Sequence, residues 1–384
     1  MAGIYLHIPF CVKKCRYCDF VSFPDDGRMA SYVDALIAEI RLRADKLPVP
    51  PSIESVFFGG GTPSLLSGEQ LAAILRALRE CYPVSPGAEC SVECNPGTVT
   101  PDKLEAYRRA GVNRLSIGAQ STDPALLLLI VRIHTRLQFL DAVRFAHKAG
   151  FSNINVDVMH GLPTQSAEQY LSTLCDVCDL DVTHISAYSL ILEENTPLYH
   201  AVKSGELEMP DPDLVADMQD AGIEYLAGTR FHRYEISNFA MDGFQCRHNL
   251  NYWDNGEYLG FGLAAHGALR VAGRRGAGQW TRFENTVSLP EYFSRIAAGR
   301  LPNAQTIRLY PGDEMFETVM LGLRKVRGID RAAFAARFGL PVEEAYPEAC
   351  RKLEQNGWLA VSPTHFALNA KGLDLQNAAL QFFM

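Results

Sequence analysis

Short apolar runs alternate along the first half of the chain with longer stretches whose apolar positions recur at helical spacing. The pattern predicts strands over Ile4–Ile8, Ser55–Phe58, Ala88–Glu93, Arg114–Gly118, Ile154–Met159 and His184–Leu190. Helices are expected between them over Met29–Leu47, Glu69–Cys81, Asp102–Ala110, Leu137–Lys148 and Glu168–Cys178. Gly111 and Gly150 stand just past two helix ends, where a left-handed cap is needed. Strands alternating with helices favour right-handed crossovers and a parallel sheet, so the fold class is α/β, an open or partial barrel of six βα units. Such folds gather ligands at the C-terminal ends of their strands. Cys11, Gly59–Gly61, Glu93, Gln120, Asp157 and Tyr188 all fall at or just beyond a strand end.

The rhythm stops near Glu193. Asp213–Gly228 reads as a helix and Arg233–Ile236 as a short strand, and Asn238–Gly267 is rich in aromatics, Asn and Gly with little regular period. A long irregular stretch in a compact chain is usually a binding segment or a lid. From Asn303 onward, helices over Gly312–Arg324, Arg331–Phe338 and Val342–Asn356 precede a hairpin of Trp358–Ser362 and His365–Leu368. Three segments are therefore expected: 1–235 as the partial barrel, 236–302 as an irregular aromatic-rich segment at its mouth, and 303–384 as a C-terminal helical, winged-helix-like accessory domain.

Composition narrows the classes. Of 384 residues 47% are hydrophobic and 21% charged, ordinary for a globular chain with a large core. The formal net charge of −8 argues against a nucleic-acid partner or a membrane-surface binder, which needs a basic face. The first ten residues lack the basic start and apolar stretch of a secretory signal. The longest apolar run, Ala125–Val131, is too short to cross a bilayer. A cytoplasmic protein without membrane insertion, at most in peripheral contact, is expected, and its ten cysteines should be thiols or metal ligands.

The chemistry concentrates in one loop. Cys11, Cys15 and Cys18 are spaced C-x3-C-x2-C directly after the first strand. Thiolates this close can wrap a compact iron–sulfur cluster. Three of them leave one iron of a [4Fe–4S] cubane without a protein ligand, open to the amino and carboxylate groups of S-adenosylmethionine (SAM). Lys13, Lys14 and Arg16 surround the loop with positive charge that favours thiolates. The competing readings are a zinc loop short of one ligand, although structural zinc prefers four, and three unrelated buried thiols. Cys175 and Cys178 form a C-x2-C inside an apparent helix, where packing is the default.

This loop resembles that of the radical SAM superfamily. Its surroundings, HIPFC and YCDF, are similar to the oxygen-independent coproporphyrinogen III oxidase family. The likeness continues through FFGGGTPS (57–64), ECNP (93–96), NRLSIGAQS (113–121), RIHT (132–135), DVMHGLP (157–163), YEISNFA (234–240) and CRHNLNYW (246–253), and so covers most of the chain. The resemblance implies a site for the methionyl amino group at Gly60 and a cofactor contact at Glu93. It implies a second ligand position near Gly61, Thr62, Gln120, Arg132 and Asp157. Tyr5 and Tyr17 resemble family cofactor contacts, although either could equally be packing.

Three departures bear on function. Asp19-Phe20 follows Cys18 where the oxidase has Gly-Cys, only ten residues precede Cys11, and Ile130-Val131 stands where relatives usually have Leu-Gly. These point to the haem-chaperone branch of the family. That branch implies haem as a ligand, respiratory haem proteins as acceptors and a cluster-dependent homodimer. The alternative is the oxidase itself, which converts porphyrinogen propionates to vinyls by radical oxidative decarboxylation, so enzymatic activity stays open. His248 and Tyr252 resemble an H-N-x-x-Y pattern associated with haem in the chaperone branch, with His266 as the second candidate ligand; a lone histidine is more often hydrogen-bonded within the structure.

Overall fold

A computed structural model describes residues 2–272 and 278–384. Twelve strands form one sheet: β1 (Ala2–Ile8), β2 (Ile53–Gly60), β3 (Val84–Cys94), β4 (Arg114–Gln120), β5 (Asn153–His160), β6 (His184–Ser189), β7 (His232–Arg233), β8 (Asn238–Ala240), β9 (Glu257–Phe261), β10 (His266–Ala272), β11 (Gly278–Asn285) and β12 (Asn303–Arg308). Their order is β12-β11-β10-β9-β1-β2-β3-β4-β5-β6-β8-β7, and β12 and β7 are its two edges. The six expected strands, β1 to β6, run parallel in sequence order.

Helices α1 (Met29–Ala44), α2 (Gly68–Cys81), α3 (Pro101–Ala110), α4 (Pro124–Leu129), α5 (Arg136–Lys148), α6 (Ala167–Cys178), α7 (Pro197–Lys203), α8 (Pro212–Ala227), α9 (Arg247–Trp253) and α10 (Leu289–Ala297) accompany the sheet. Start signals fix several of them. Ser67, Thr135 and Ser166 each form a capping box with the Gln three residues on. Helices cover the parallel strands, so β4 is buried along its whole length. Leu36, Ile40, Ile74 and Leu78 are fully buried on the helical layer, and each such side chain contributes about 1.5–3 kcal/mol.

The 236–302 segment differs from expectation. Instead of an irregular cover it contributes α9 and the strands β8 to β11. β9 runs parallel beside β1, so it extends the barrel sheet on the side opposite β2. Its sequence, EYLGF, shows no alternation because a short strand buried among neighbours needs none, and its glycine weakens the strand signal. Gly260 cannot carry a side chain, since a Cβ there would run into the His266 backbone.

Beyond β12, α11 (Pro311–Gly322), α12 (Arg331–Phe338), α13 (Val342–Ala345) and α14 (Pro347–Gln355) surround an antiparallel sheet of Ile329–Asp330, His365–Leu368 and Leu359–Ala360. Val319, Leu323, Phe334, Leu353 and Phe366 form a separate core there. Polar contacts join it to α9: Lys325 pairs with Asp254, and Arg337 donates to the Asn255 carbonyl at 2.9 Å. No helix among the described residues is long and apolar enough to cross a membrane.

Candidate functional site

The loop bearing the three cysteines leaves the C-terminal end of β1. Phe10–Cys11 pairs with Phe23–Pro24, which ties the loop's two ends together. The Arg16 amide donates to the Ile130 carbonyl at 3.2 Å, and the Leu198 amide to the Arg16 carbonyl at 2.9 Å, so the loop is pinned between the end of α4 and the start of α7. Arg16, expected beside the thiols, instead forms an ion pair with Glu206 at 2.8 Å. The cation that reaches a thiol is Arg132, donating to Cys15 Sγ at 3.8 Å and to the Gly118 carbonyl at 2.6 Å. The charge around the loop thus comes partly from a residue more than a hundred positions away.

All three cysteines are free and line one cavity of about 590 Å³ at the strand ends. Tyr17, Gly60, Gly61, Thr62, Glu93, Gln120, Arg132, Asp157 and Tyr188 line it too. Among the described residues no three His, Cys, Asp or Glu side chains converge on one metal ion. A cubane asks for something different, because each of its thiolates binds a separate iron. The cradle opposite the thiols is built of glycine. A Cβ on Gly61 would come within 3.0 Å of Cys11 Sγ, and one on Gly60, at φ +112°, would strike the His7 ring.

Each strand end presents a polar group. Glu93 closes β3, and its carboxylate accepts the Gly60 N–H at 3.1 Å. Burial, reinforced by the nearby Asp157 carboxyl, pushes its pKa up to about 8. Asp157 on β5 is likewise raised by burial, although Asn155 at 2.8 Å and Ser116 at 3.2 Å donate to it. Gln120 follows a register slip between β4 and β5 and sits at φ +65°, a left-handed conformation that turns its amide to accept the Tyr188 hydroxyl at 2.8 Å. The sequence reading missed Ser116, Asn155, Ser186 and Arg114. Their signal was present in the alternation of β4, β5 and β6, whose inward positions are polar where a packed barrel would carry Val, Ile or Leu.

The other candidates lie elsewhere. Tyr5, His248 and Tyr252 line a smaller inner chamber below the cavity. His248 is buried, stacked on Phe57, with Nδ1 bonded to Ser55 Oγ at 2.8 Å and Nε2 to the Tyr252 hydroxyl at 3.0 Å. Both ring nitrogens are occupied, so in this structure neither is free for a haem iron; its pKa is lowered to about 3 by burial, with the charge of Arg114 second. His266 is exposed at the start of β10, 4.0 Å from Glu284, and does not line the cavity. Cys175 and Cys178 stay on α6, one exposed and one half-buried.

Comparison with known proteins places this geometry. Residues 5–176 match the radical SAM superfamily, and residues 309–375 match the HemN C-terminal domain. The chain is 34% identical to "Heme chaperone HemW" of Bacillus subtilis, covering 100% of this chain and 99% of that protein. It is 34% identical to the Escherichia coli protein of the same name, over 100% of this chain and 98% of the other. A mouse protein, "Radical S-adenosyl methionine domain-containing protein 1, mitochondrial", is 36% identical over 85% of this chain and 74% of its own length. The solved structure of coproporphyrinogen III oxidase (HemN) from Escherichia coli superposes with a TM-score of 0.83 at 23% identity, covering 100% of this chain and 89% of that one.

Proposed function

The chain belongs to the HemW heme-chaperone family within the radical SAM superfamily, and on that premise we propose that it binds a [4Fe–4S] cluster, SAM and haem and passes haem to respiratory haem proteins. The observation that carries this reading is the meeting of three free thiols with the polar ends of four other strands in one cavity. Cys11, Cys15 and Cys18 would hold the cluster, whose open iron would bind SAM and supply an electron to it. Gly60, Gly61 and Thr62 let the cofactor approach the backbone closely. Glu93 would receive the methionyl ammonium, and that cation would draw the carboxyl back to its charged form. Arg132 donates to Cys15 Sγ, and such a hydrogen bond to sulfur would tune the potential of a cluster held there. Haem needs an apolar face, and the cavity rim offers Phe20 and Ile191, 55% and 70% exposed.

One anaerobic experiment tests the reading. Protein reconstituted with iron and sulfide is given haem and a haem-free acceptor, and in parallel coproporphyrinogen III with SAM and a reductant. Stable haem uptake and transfer, without decarboxylated product, is the expected result. Catalytic formation of protoporphyrinogen would replace it with the oxidase activity.

A further inference from the structure

Below the cofactor cavity lies a second chamber of about 210 Å³, which shares Glu93, Ser116, Asp157 and Ser186 with it. Arg114, the first residue of β4, faces this chamber and is only 2% exposed. Its Nε has no hydrogen-bond partner, and the neighbouring carboxylates act on it only at longer range. Those carboxylates are committed elsewhere. Glu89 accepts from the Arg247 and His248 amides at 3.1 and 3.2 Å and from Cys246 Sγ at 3.5 Å. Asp157 takes Asn155 and Ser116, and Glu93 takes the Gly60 amide. Burial works against its charge, but Cys246, Glu89, Tyr234 and Asp157 outweigh it and hold the pKa above its ordinary value. What stays unmet is hydrogen bonding: a buried donor without an acceptor at the heart of the barrel asks for a ligand.

We propose that the inner chamber is a carboxylate-binding site anchored by Arg114. The guanidinium fork matches a carboxylate with two parallel hydrogen bonds. Asn249 adds an amide at the wall, and the Phe57 ring an apolar side for methylene groups. The volume falls below the roughly 300–1,000 Å³ of pockets that take drug-sized ligands, so only a group of a few atoms fits. A dianion such as phosphate would face Asp157 and Glu93 directly, whereas a single carboxylate can accept a hydrogen bond from the Glu93 carboxyl, which burial keeps largely neutral while no SAM ammonium lies against it. The carboxylate has two possible sources: a free small acid, or the carboxylate arm of a ligand whose body stands in the connected upper cavity. The second source rests on the haem reading above, but the site itself does not.

The test uses sodium propionate with propionamide as its neutral control, and haem with its dimethyl ester, on the full chain. Propionate, and not propionamide, should raise the melting temperature of the wild-type protein, and Arg114→Gln should abolish the shift. If the arm is the source, esterification should weaken haem binding at least about tenfold, the equivalent of one hydrogen bond to a charged group. Arg114→Gln should then weaken haem equally and no longer distinguish acid from ester. Should that variant fail to fold, Asn249→Leu, which crowds the chamber and keeps the charge, should reproduce both losses. Either response alone supports the site and identifies its source. A wild-type protein indifferent both to propionate and to esterification would overturn it, and if no haem binds at all the propionate arm still decides.

Discussion

The Glu93 carboxylate accepts the backbone N–H of Gly60 at 3.1 Å, joining the C-terminal ends of β3 and β2 at the cavity that the three thiols line. Its pKa is raised from 4.5 to about 8, chiefly by burial. For a carboxyl shifted upward, the folded state binds more protons than the unfolded one between those values. Its contribution to stability is complete below about pH 4.5 and is lost as pH rises through about 8. Denaturant melts of cofactor-free protein should therefore show Glu93→Gln flattening the decline between about pH 4.5 and pH 8, by an amount on the order of a few kcal/mol. Parallel curves for the two proteins would remove Glu93 from this role. The same variant should weaken SAM binding to the reconstituted protein, read by equilibrium dialysis.

His248 titrates in the opposite sense. Its folded pKa of about 3 lies below the ordinary 6.5, so its contribution is complete above pH 6.5 and disappears as pH falls toward 3. His248→Ala removes two buried hydrogen bonds and a ring packed on Phe57, and should cost about 2–4 kcal/mol in urea unfolding at pH 7.5. A variant of unchanged stability that has lost haem binding would make His248 a ligand instead of a structural group.

Val131 ends α4 in the left-handed region, at φ +61°, with its amide bonded to the Leu128 carbonyl and the Arg132 amide to the Leu127 carbonyl. This double closure is a Schellman cap, which favours glycine. A left-handed β-branched residue costs about 1–2 kcal/mol, partly offset by the extra chain entropy of glycine when unfolded. Val131→Gly should stabilise the protein by about 0.5–1 kcal/mol in thermal melts. A lower melting temperature would show that the half-buried valine side chain outweighs the backbone.

Arg132 donates to Cys15 Sγ, and hydrogen bonds to sulfur set cluster potential. In reconstituted protein, Arg132→Gln should lower the reduction potential by an amount on the order of tens of mV, measured by anaerobic redox titration. Cys15→Ala should leave far-UV circular dichroism unchanged while bound iron and sulfide fall to background. An unchanged iron content in Cys15→Ala would end the cluster assignment.

Much of this architecture was legible along the chain. The six parallel strands are readable because each is a short apolar run between helices, and the strand-end rule alone gathers Cys11, Gly60, Glu93, Gln120 and Asp157 at one mouth. β9 and α9 were not readable, because a five-residue strand buried by its neighbours and a seven-residue aromatic helix carry no period long enough to register. His248 shows the same limit at a single residue. Its pattern suggested a ligand, but the partners that occupy both its nitrogens, Ser55 and Tyr252, include one almost two hundred positions away.

The sequence by itself determined the chemistry available to this protein: the cysteine spacing, the glycine turn and the polar residue at each strand end are local features, dictated by covalent geometry and strand alternation. Only the tertiary structure decided which charges meet which atoms. It turned Arg16 away to Glu206, brought Arg132 to Cys15 and enclosed Arg114 without a close anion. Those outcomes depend on side chains from distant strands sharing one low-dielectric interior, where a difference of a few ångströms separates a charge with a hydrogen-bonded partner from one held only at a distance.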